Sequence, residues 1–377
     1  MKIGIITIHK VINFGSALQA YALQKYLQSF TNADVELIDY IYPNEYHYSH
    51  RPKPSAKAIV LSSLKKFKHW IKGNKTQKYY RNFYDKFFNL SSKTFYSPEL
   101  IKKDAPQYDL YITGSDQVWN INCLHNDPAM YCDFAPYGSK IISFGASFSN
   151  KSLPQEYHKL VRDYLNKYSA IGVREKSSLD LLKIIGVNNT IPQVCNCDPT
   201  LLLDVKYYDE LAQQSQIHID GDYILVYLLD YAYDPEPTIT QVTELAVEEL
   251  GCKVVRLLKT HFAYAGNTEV VEYAGPCEFT WLFKHAKFVI TSSFHGTMFS
   301  IIYRKPFTTI VPKADHQDCR SKDILKQVGL EDRISPTDKS PIFNAKNPFT
   351  PEVIERINTF ISDSKKYLAD AIKQQRL

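Results

Sequence analysis

A single imidazole set where an apolar strand gives way to a helical pattern is the first feature able to do chemistry: Ile290 to Phe307 reads ITSSFHGTMFSIIYRKPF. A helix starting close to His295 would aim its unpaired backbone N–H groups and the positive end of its dipole at whatever lies beyond the strand. Ser292, Ser293 and Thr297 would add hydroxyls, and Gly296 would let a ligand come close. Such a place suits an anion, and an imidazole titrating near neutrality can pass a proton to a phosphate-bearing substrate. The competing reading is a histidine buried for packing.

Four other polar loops follow apolar strands. TGSDQVWN, from Thr113 to Asn120, offers the carboxylate of Asp116, the amides of Gln117 and Asn120 and the ring of Trp119, a mixture that hydrogen-bonds and stacks against sugars. It is equally a capped turn with Trp119 in the core. SFGASFS, which contains Ser147, joins a strand to small residues that leave room for a ligand, and GVREKSS puts Arg174 at a strand end. The guanidinium is either a planar fork for carboxylate or phosphate or half of a structural ion pair. HKVINFGSALQA, with Asn13 and Gly15, lacks the G-x-G-x-x-G through which dinucleotide phosphates approach the backbone, which argues against a nicotinamide cofactor.

These loops need a scaffold, and periodicity supplies one. Strands are expected at Lys2 to Ile8, Val35 to Tyr40, Asp109 to Thr113, Lys140 to Phe144, Ala170 to Arg174 and Gln193 to Asn196, with helices over Ala17 to Ser29 and Glu175 to Ile185. Gly186 sits where a helix C-cap prefers glycine. A second series starts at YILVYLLD and alternates through Thr238 to Leu250, CKVVRLL, Phe279 to His285, FVIT, the helix after His295, and FTTIV. Alternation of this kind predicts parallel sheets covered by helices, in two doubly wound units. We divide the chain into 1–207, 222–345 and a terminal helix over 350–374, the last opened by Thr350 and Pro351 and carrying Val353, Ile357, Phe360 and Ile361 on one face.

The 377 residues, 44% hydrophobic and 23% charged, are enough for two cores. No apolar run approaches the roughly 20 residues a bilayer span needs, and MKIGIITIHK reads as a strand and not as a signal peptide. A cytoplasmic protein is expected. Seven cysteines without a regular framework fit reduced thiols; Cys195 and Cys197 form C-x-C, but no second pair stands at a zinc-like spacing, so no metal is expected.

Several ordered motifs together carry a family resemblance: T-x-H-x-x-x-N-F-G-S-A-L-Q-A-Y-A-L from Thr7 to Leu23, TGSDQVWN, ISFGASF, GVREKSS, CDPTLLL and SSFHGTMFSIIYRKPF. In that combination the chain resembles the polysaccharide pyruvyl transferases. The resemblance implies a GT-B-like pair of Rossmann-type domains with the active site in the cleft between them. It implies phosphoenolpyruvate as donor and a sugar with two nearby hydroxyls as acceptor. The product would be a cyclic pyruvate ketal in a bacterial capsule, exopolysaccharide or secondary cell-wall polymer, made without a cofactor.

Under this resemblance His295 matches the family's histidine near the donor and Arg174 an arginine that contacts it. His295 becomes the expected general acid and Asp116 the base. The donor set is Arg174, Ser292, Ser293, Gly296, Thr297 and Arg320; the acceptor set is Asn13, Gly15, Gln117, Trp119, Asn120 and Ser147. One departure stands out: many members place an arginine two residues before that histidine, where this chain has Ser293, so Arg320 or Lys313 must supply the charge. Two other readings keep the sugar loops: a GT-B nucleotide-sugar glycosyltransferase, and a non-catalytic sugar-binding protein of a polysaccharide locus. After His295 the chain reads GTMFSIIYRKPF with no carboxylate to hold a nucleotide ribose, which argues against the first.

The net charge of +5 is uneven. From Arg51 to Leu90 eleven Lys or Arg face one acid, Asp85, and Ile59, Val60, Leu64, Phe67 and Ile71 recur at helical spacing among them. This basic insert is either an ordinary helix with solvated lysines or a peripheral contact with anionic lipid at the inner face of the cytoplasmic membrane. No nucleic-acid reading motif accompanies it.

Overall fold

The computed structural model describes residues 1–43, 75–229, 233–313, 316, 318 and 320–373. The amphipathic stretch over residues 57–73, on which the lipid expectation rests, lies outside the described residues.

Among the described residues seven strands make up the first half: β1 (Lys2–Ile6), β2 (Asp34–Tyr40), β3 (Leu90–Phe95), β4 (Leu110–Thr113), β5 (Ile141–Ser143), β6 (Ile171–Val173) and β7 (Gln193–Cys195). All pair in parallel in the order β3-β2-β1-β4-β5, and bridges from Ile142 to Ala170 and from Ala146 to Val173 carry the sheet on to β6 and β7. The second half is also all parallel: β8 (Tyr223–Tyr227), β9 (Lys253–Leu257), β10 (Thr268–Val271), β11 (Phe288–Thr291), β12 (Phe307–Val311) and β13 (Ile334–Pro336), in the order β10-β9-β8-β11-β12-β13. β8 and β11 are buried at every position, as a central parallel strand covered on both faces must be.

The helices that position the site are α1 (Phe14–Thr31), α2 (75–87), α3 (Lys176–Ile185), α4 (Val205–Ala212), α5 (Thr238–Leu250), α6 (Pro276–His285), α7 (Phe294–Ile302), α8 (Arg320–Val328) and α9 (Pro351–Lys373). α1 begins three residues before the expected Ala17, because the Asn13 side chain accepts from the N–H groups of Gly15 and Ser16 and closes the first turn there. Gly186 caps α3 at φ +80°. α2, the described part of the basic insert, packs as an ordinary helix: Tyr80 is buried and stacks on Phe14, while Lys86 donates to Gln214.

The two sheets share a core. Phe14 lies 4.9 Å from Phe279 and 5.8 Å from Tyr227, and Phe279 lies 5.1 Å from Phe299, so aromatic contacts run unbroken from α1 into α6, α7 and β8. Pairs of this geometry add about 0.5 to 1.5 kcal/mol each beyond their buried area. The chain crosses to the second sheet through α4, and α9 returns to the first. There Tyr367 donates to the carbonyl of Ser143, Lys140 to that of Ile372, and the backbone N–H of Cys197 to Ser364 Oγ.

Candidate active site

In each sheet the chain reverses direction of growth between two central strands, β1 and β4 in the first and β8 and β11 in the second. Ligand crevices of doubly wound sheets open at these points, beyond the carboxyl ends of the strands. Here the two points face one another. From the first come the opening turn of α1 and the Ser115–Asp116 corner; from the second comes the start of α7 with His295.

Three residues from different loops converge between them. Arg174, at the end of β6, is buried: Nε donates to Glu175 Oε1 at 3.0 Å, and Nη1 donates to Asp198 Oδ2 at 3.0 Å, with Ser115 Oγ 3.4 Å away. Its guanidinium carbon lies 4.3 Å from the centre of the Phe294 ring, a cation–π stack across the seam between the sheets. Nη2 has no hydrogen-bond partner among the described residues. Asp198, which follows β7, is buried too; Oδ1 accepts from the backbone and hydroxyl of Thr200, and Oδ2 also accepts from Ser115 Oγ at 3.1 Å. His295 brings Nε2 to 3.6 Å from that same Oδ2.

The electrostatics follow from burial and pairing. Burial alone would raise the Asp198 carboxyl, but His295 and Arg174 hold it well below the usual carboxylate range. Burial wins at Glu175, raising it despite Arg174 and the Ser147 hydroxyl. Burial opposes the Arg174 charge, and Glu175 and Asp198 overcome it, so its affinity for its proton rises. Of the two readings of Arg174, the ion pair is realised, with one nitrogen left over.

His295 is only 6% exposed because it lies against α1. A Cβ built on Gly15 would stand 1.9 Å from His295 Nδ1, so this glycine is required by the imidazole. Gly15→Ala should raise the intrinsic helix propensity of α1 yet destabilise by about 1 to 3 kcal/mol through the clash, and should cut turnover by displacing His295. Melting temperature and turnover measured together check this; a more stable, fully active variant would show that the ring moves freely.

Asp116 sits across the first switch point with φ +72°, a left-handed conformation that aspartate tolerates better than most residues. Ser16 Oγ donates to its Oδ2 at 2.5 Å. Arg320 lies at the start of α8. Burial raises the Cys123 thiol to about 11, with Arg320 opposing and Asp116 and Asp318 adding, so these charges share one neighbourhood. Arg320 is held by Asp318, Nε at 2.9 Å and Nη2 at 2.6 Å. With Ser292, Phe294 and Tyr233 it lines a small hollow beside α7.

Other expected ligands turn inward. Trp119 is 1% exposed, stacked 5.6 Å from Tyr131 at 4°, with Nε1 donating to the Met130 carbonyl: it is the core residue of a capped turn, not a sugar platform. Asn120 caps the next short helix through Oδ1 and donates to Gln117 Oε1. Ser147 Oγ donates to Glu175 at 2.8 Å, and Asn13 Oδ1 caps α1. These four residues, together with Gln117, spend those polar atoms on the fold.

The same holds in the donor set. Ser292 Oγ accepts from the N–H of Leu229 and donates to its carbonyl. Ser293 Oγ accepts from Gly296 N, so the residue standing where many relatives have arginine is the N-cap of α7. Gly296 is needed for close approach to β11, since its Cβ would lie 2.2 Å from Thr291 Oγ1, and the Thr297 hydroxyl is shared with Ser293 O and Thr309. Lys313 ends the described part of its loop, and its carbonyl accepts from Lys322 Nζ. What remains convergent is His295, Arg174, Asp116 and Arg320. Asp198 and Glu175 join them unforeseen; the signal for Asp198 lay in CDPTLLL, whose aspartate precedes a proline and reads locally as a turn cap.

Among the described residues no group of three or more His, Cys, Asp or Glu could hold a metal ion, and no helix is long and apolar enough to cross a membrane. The family model described as polysaccharide pyruvyl transferase matches residues 13–313. No curated protein matches the chain. Among solved structures, the UDP-GlcNAc 2-epimerase of Methanocaldococcus jannaschii is 13% identical, with 96% of this chain and 93% of that one covered at a TM-score of 0.50. The E. coli heptosyltransferase WaaC is 13% identical, with 87% and 99% covered at a TM-score of 0.38. At 13% identity the likeness to the epimerase informs on the fold alone: it is GT-B-like, two Rossmann-type units with parallel sheets.

Proposed function

We propose that this chain, which belongs to the polysaccharide pyruvyl transferase family, moves pyruvate from phosphoenolpyruvate onto two hydroxyls of one sugar as a cyclic ketal. The observation that carries the reading is the meeting of Arg174 and His295, from opposite sheets, with His295 Nε2 turned to Asp198 Oδ2 and Arg174 Nη2 a buried donor without a hydrogen-bond partner among the described residues. Buried donors of this kind are costly unless a ligand satisfies them. A substrate bearing both a carboxylate and a phosphate would do so.

In this mechanism the methylene carbon of the donor takes a proton and becomes a methyl group. The adjacent carbon, now oxocarbenium-like, is attacked by one sugar hydroxyl; its bond to the phosphate oxygen breaks, and the second hydroxyl closes the ring. Two hydroxyl protons are lost, one ending on the methyl carbon and one on released phosphate, so no redox partner and no water is consumed. His295 is the acid that serves the donor, and Asp116, with Ser16 donating to it, is the base that receives a hydroxyl proton. Arg174 and Arg320 hold the donor's charge by exchanging part of their present carboxylate pairing for it. Asn13 to Gly15 border the acceptor. We assign the reaction to the cytoplasmic side of bacterial surface-polysaccharide synthesis, with the basic stretch of residues 51–90 as a contact for anionic lipid.

The test is to incubate the protein with phosphoenolpyruvate and lipid-linked oligosaccharides, then follow acceptor mass and free phosphate. The expected result is acceptor heavier by pyruvate less water, with one phosphate released per ketal. Transfer of a hexose from a nucleotide sugar would replace this reading with a glycosyltransferase. Oligosaccharide binding with neither reaction would leave a sugar-binding protein.

A further inference from the structure

The two ring nitrogens of His295 face different elements. Nε2 points at Asp198 Oδ2, 3.6 Å away, while Nδ1 is turned to the first turn of α1, where a Cβ on Gly15 would touch it. Asp198 is itself immobilised: Thr200 holds Oδ1 through two bonds, and Ser115 and Arg174 hold Oδ2. A carboxylate fixed on one ring nitrogen decides which tautomer the ring adopts and how the ring is turned.

We propose that Asp198 is the positioning residue of the site, keeping the proton of His295 on Nε2 so that Nδ1, at the α1 side, is the nitrogen that exchanges a proton with substrate. This rests on the functional reading above and deepens it. The present separation becomes a hydrogen bond if the two groups approach by about half an ångström. Among the described residues no other carboxylate is placed to do this: Glu175 is taken by Arg174 and Ser147, and Asp116 by Ser16. Among the described residues the charged and titratable groups around the pair are Arg174 and Glu175 after β6, Asp116 after β4, Cys197 beside Asp198, Tyr208 of α4 and Arg320 of α8, while the first turn of α1 carries no acid. Substitution at Asp198 therefore removes the carboxylate that faces the ring.

The test has one arm without substrate. In protein labelled with ¹⁵N-histidine, NMR should show an exchange-protected ring N–H on Nε2, assigned by its loss in His295→Gln and absent in Asp198→Asn. The second arm is turnover: Asp198→Asn should lose roughly 10²- to 10⁴-fold in kcat, with a smaller change in KM for phosphoenolpyruvate. Asp198→Glu should restore part of the rate. A protected proton on Nδ1, or a Nε2 signal unchanged in Asp198→Asn, overturns the proposal whatever the enzyme's activity. An inactive wild type would overturn the functional reading and leave the NMR arm to decide this one.

Discussion

His295→Gln should turn over roughly 10² to 10⁴ times more slowly than wild type, the range for removing general acid catalysis, while melting within a degree or two of it. The second half of that expectation comes from the geometry. Among the described residues Nε2 of His295 makes no hydrogen bond, and Asp198 keeps Arg174, Ser115 and Thr200 as partners when the imidazole goes, so no buried charge is stranded. Affinity for phosphoenolpyruvate should change little, since Arg174 and Arg320 remain. A histidine placed for packing alone predicts the opposite pattern: a loss of a few kcal/mol in stability, with activity falling only as the protein unfolds. Melting temperature and turnover on one sample separate the two. A stable variant with near-normal turnover would end the catalytic assignment.

The second large effect belongs to Arg174. Removing it in Arg174→Ala leaves Glu175 and Asp198 buried without their counter-ion, and breaking a buried pair in this way costs about 3 to 5 kcal/mol. The loss should depend on pH. In the wild type Asp198 titrates below the usual carboxylate range, so its contribution to stability is present at neutral pH and fades as pH falls towards its folded value. Without Arg174 that contribution is largely gone, and Glu175, already raised by burial, can escape the penalty by taking a proton. The deficit of the variant should therefore be greatest near neutrality and shrink toward about pH 5, where unfolded carboxyls also begin to protonate. Denaturant unfolding at several pH values tests this; a constant deficit would mean that packing against Phe294, not charge, is what Arg174 supplies. Donor affinity should fall with the loss of a charge-assisted contact worth about 1.5 to 3 kcal/mol. The milder Arg174→Lys keeps the charge while losing the planar fork, and so keeps that measurement possible if the alanine variant is too unstable.

Much of the scaffold was legible in the residues. FVIT, FTTIV and the helix from Thr238 to Leu250 fall where periodicity puts them, because a central parallel strand must be apolar along its whole length and a helix packed on it must be apolar on one face. The strands that periodicity did not reveal are β3, β10 and β13, and each is a sheet edge. An edge strand pairs on one side only and is covered less, so LSSKTF, with two exposed positions, or the three residues of ISP carry little apolar signal.

The site divides along the same line. Sequence alone determined that polar loops stand at strand ends, that one holds an imidazole before an apolar helix, and that their order resembles one family. Tertiary structure decided which polar atoms are left for a ligand. Trp119 looked like a sugar platform until Tyr131 stacked on it, and Ser293 and Thr297 looked like anion donors until the cap and packing of α7 used them. Asp198, inside CDPTLLL, drew no reading of its own, and only the fold brings Arg174, 24 positions earlier, and Ser115, 83 positions earlier, to its Oδ2. The reason is physical: periodicity records how much of a side chain is buried, which each residue settles with its near neighbours, whereas a hydrogen bond between loops depends on distances of a few tenths of an ångström between residues that only the folded sheets bring together.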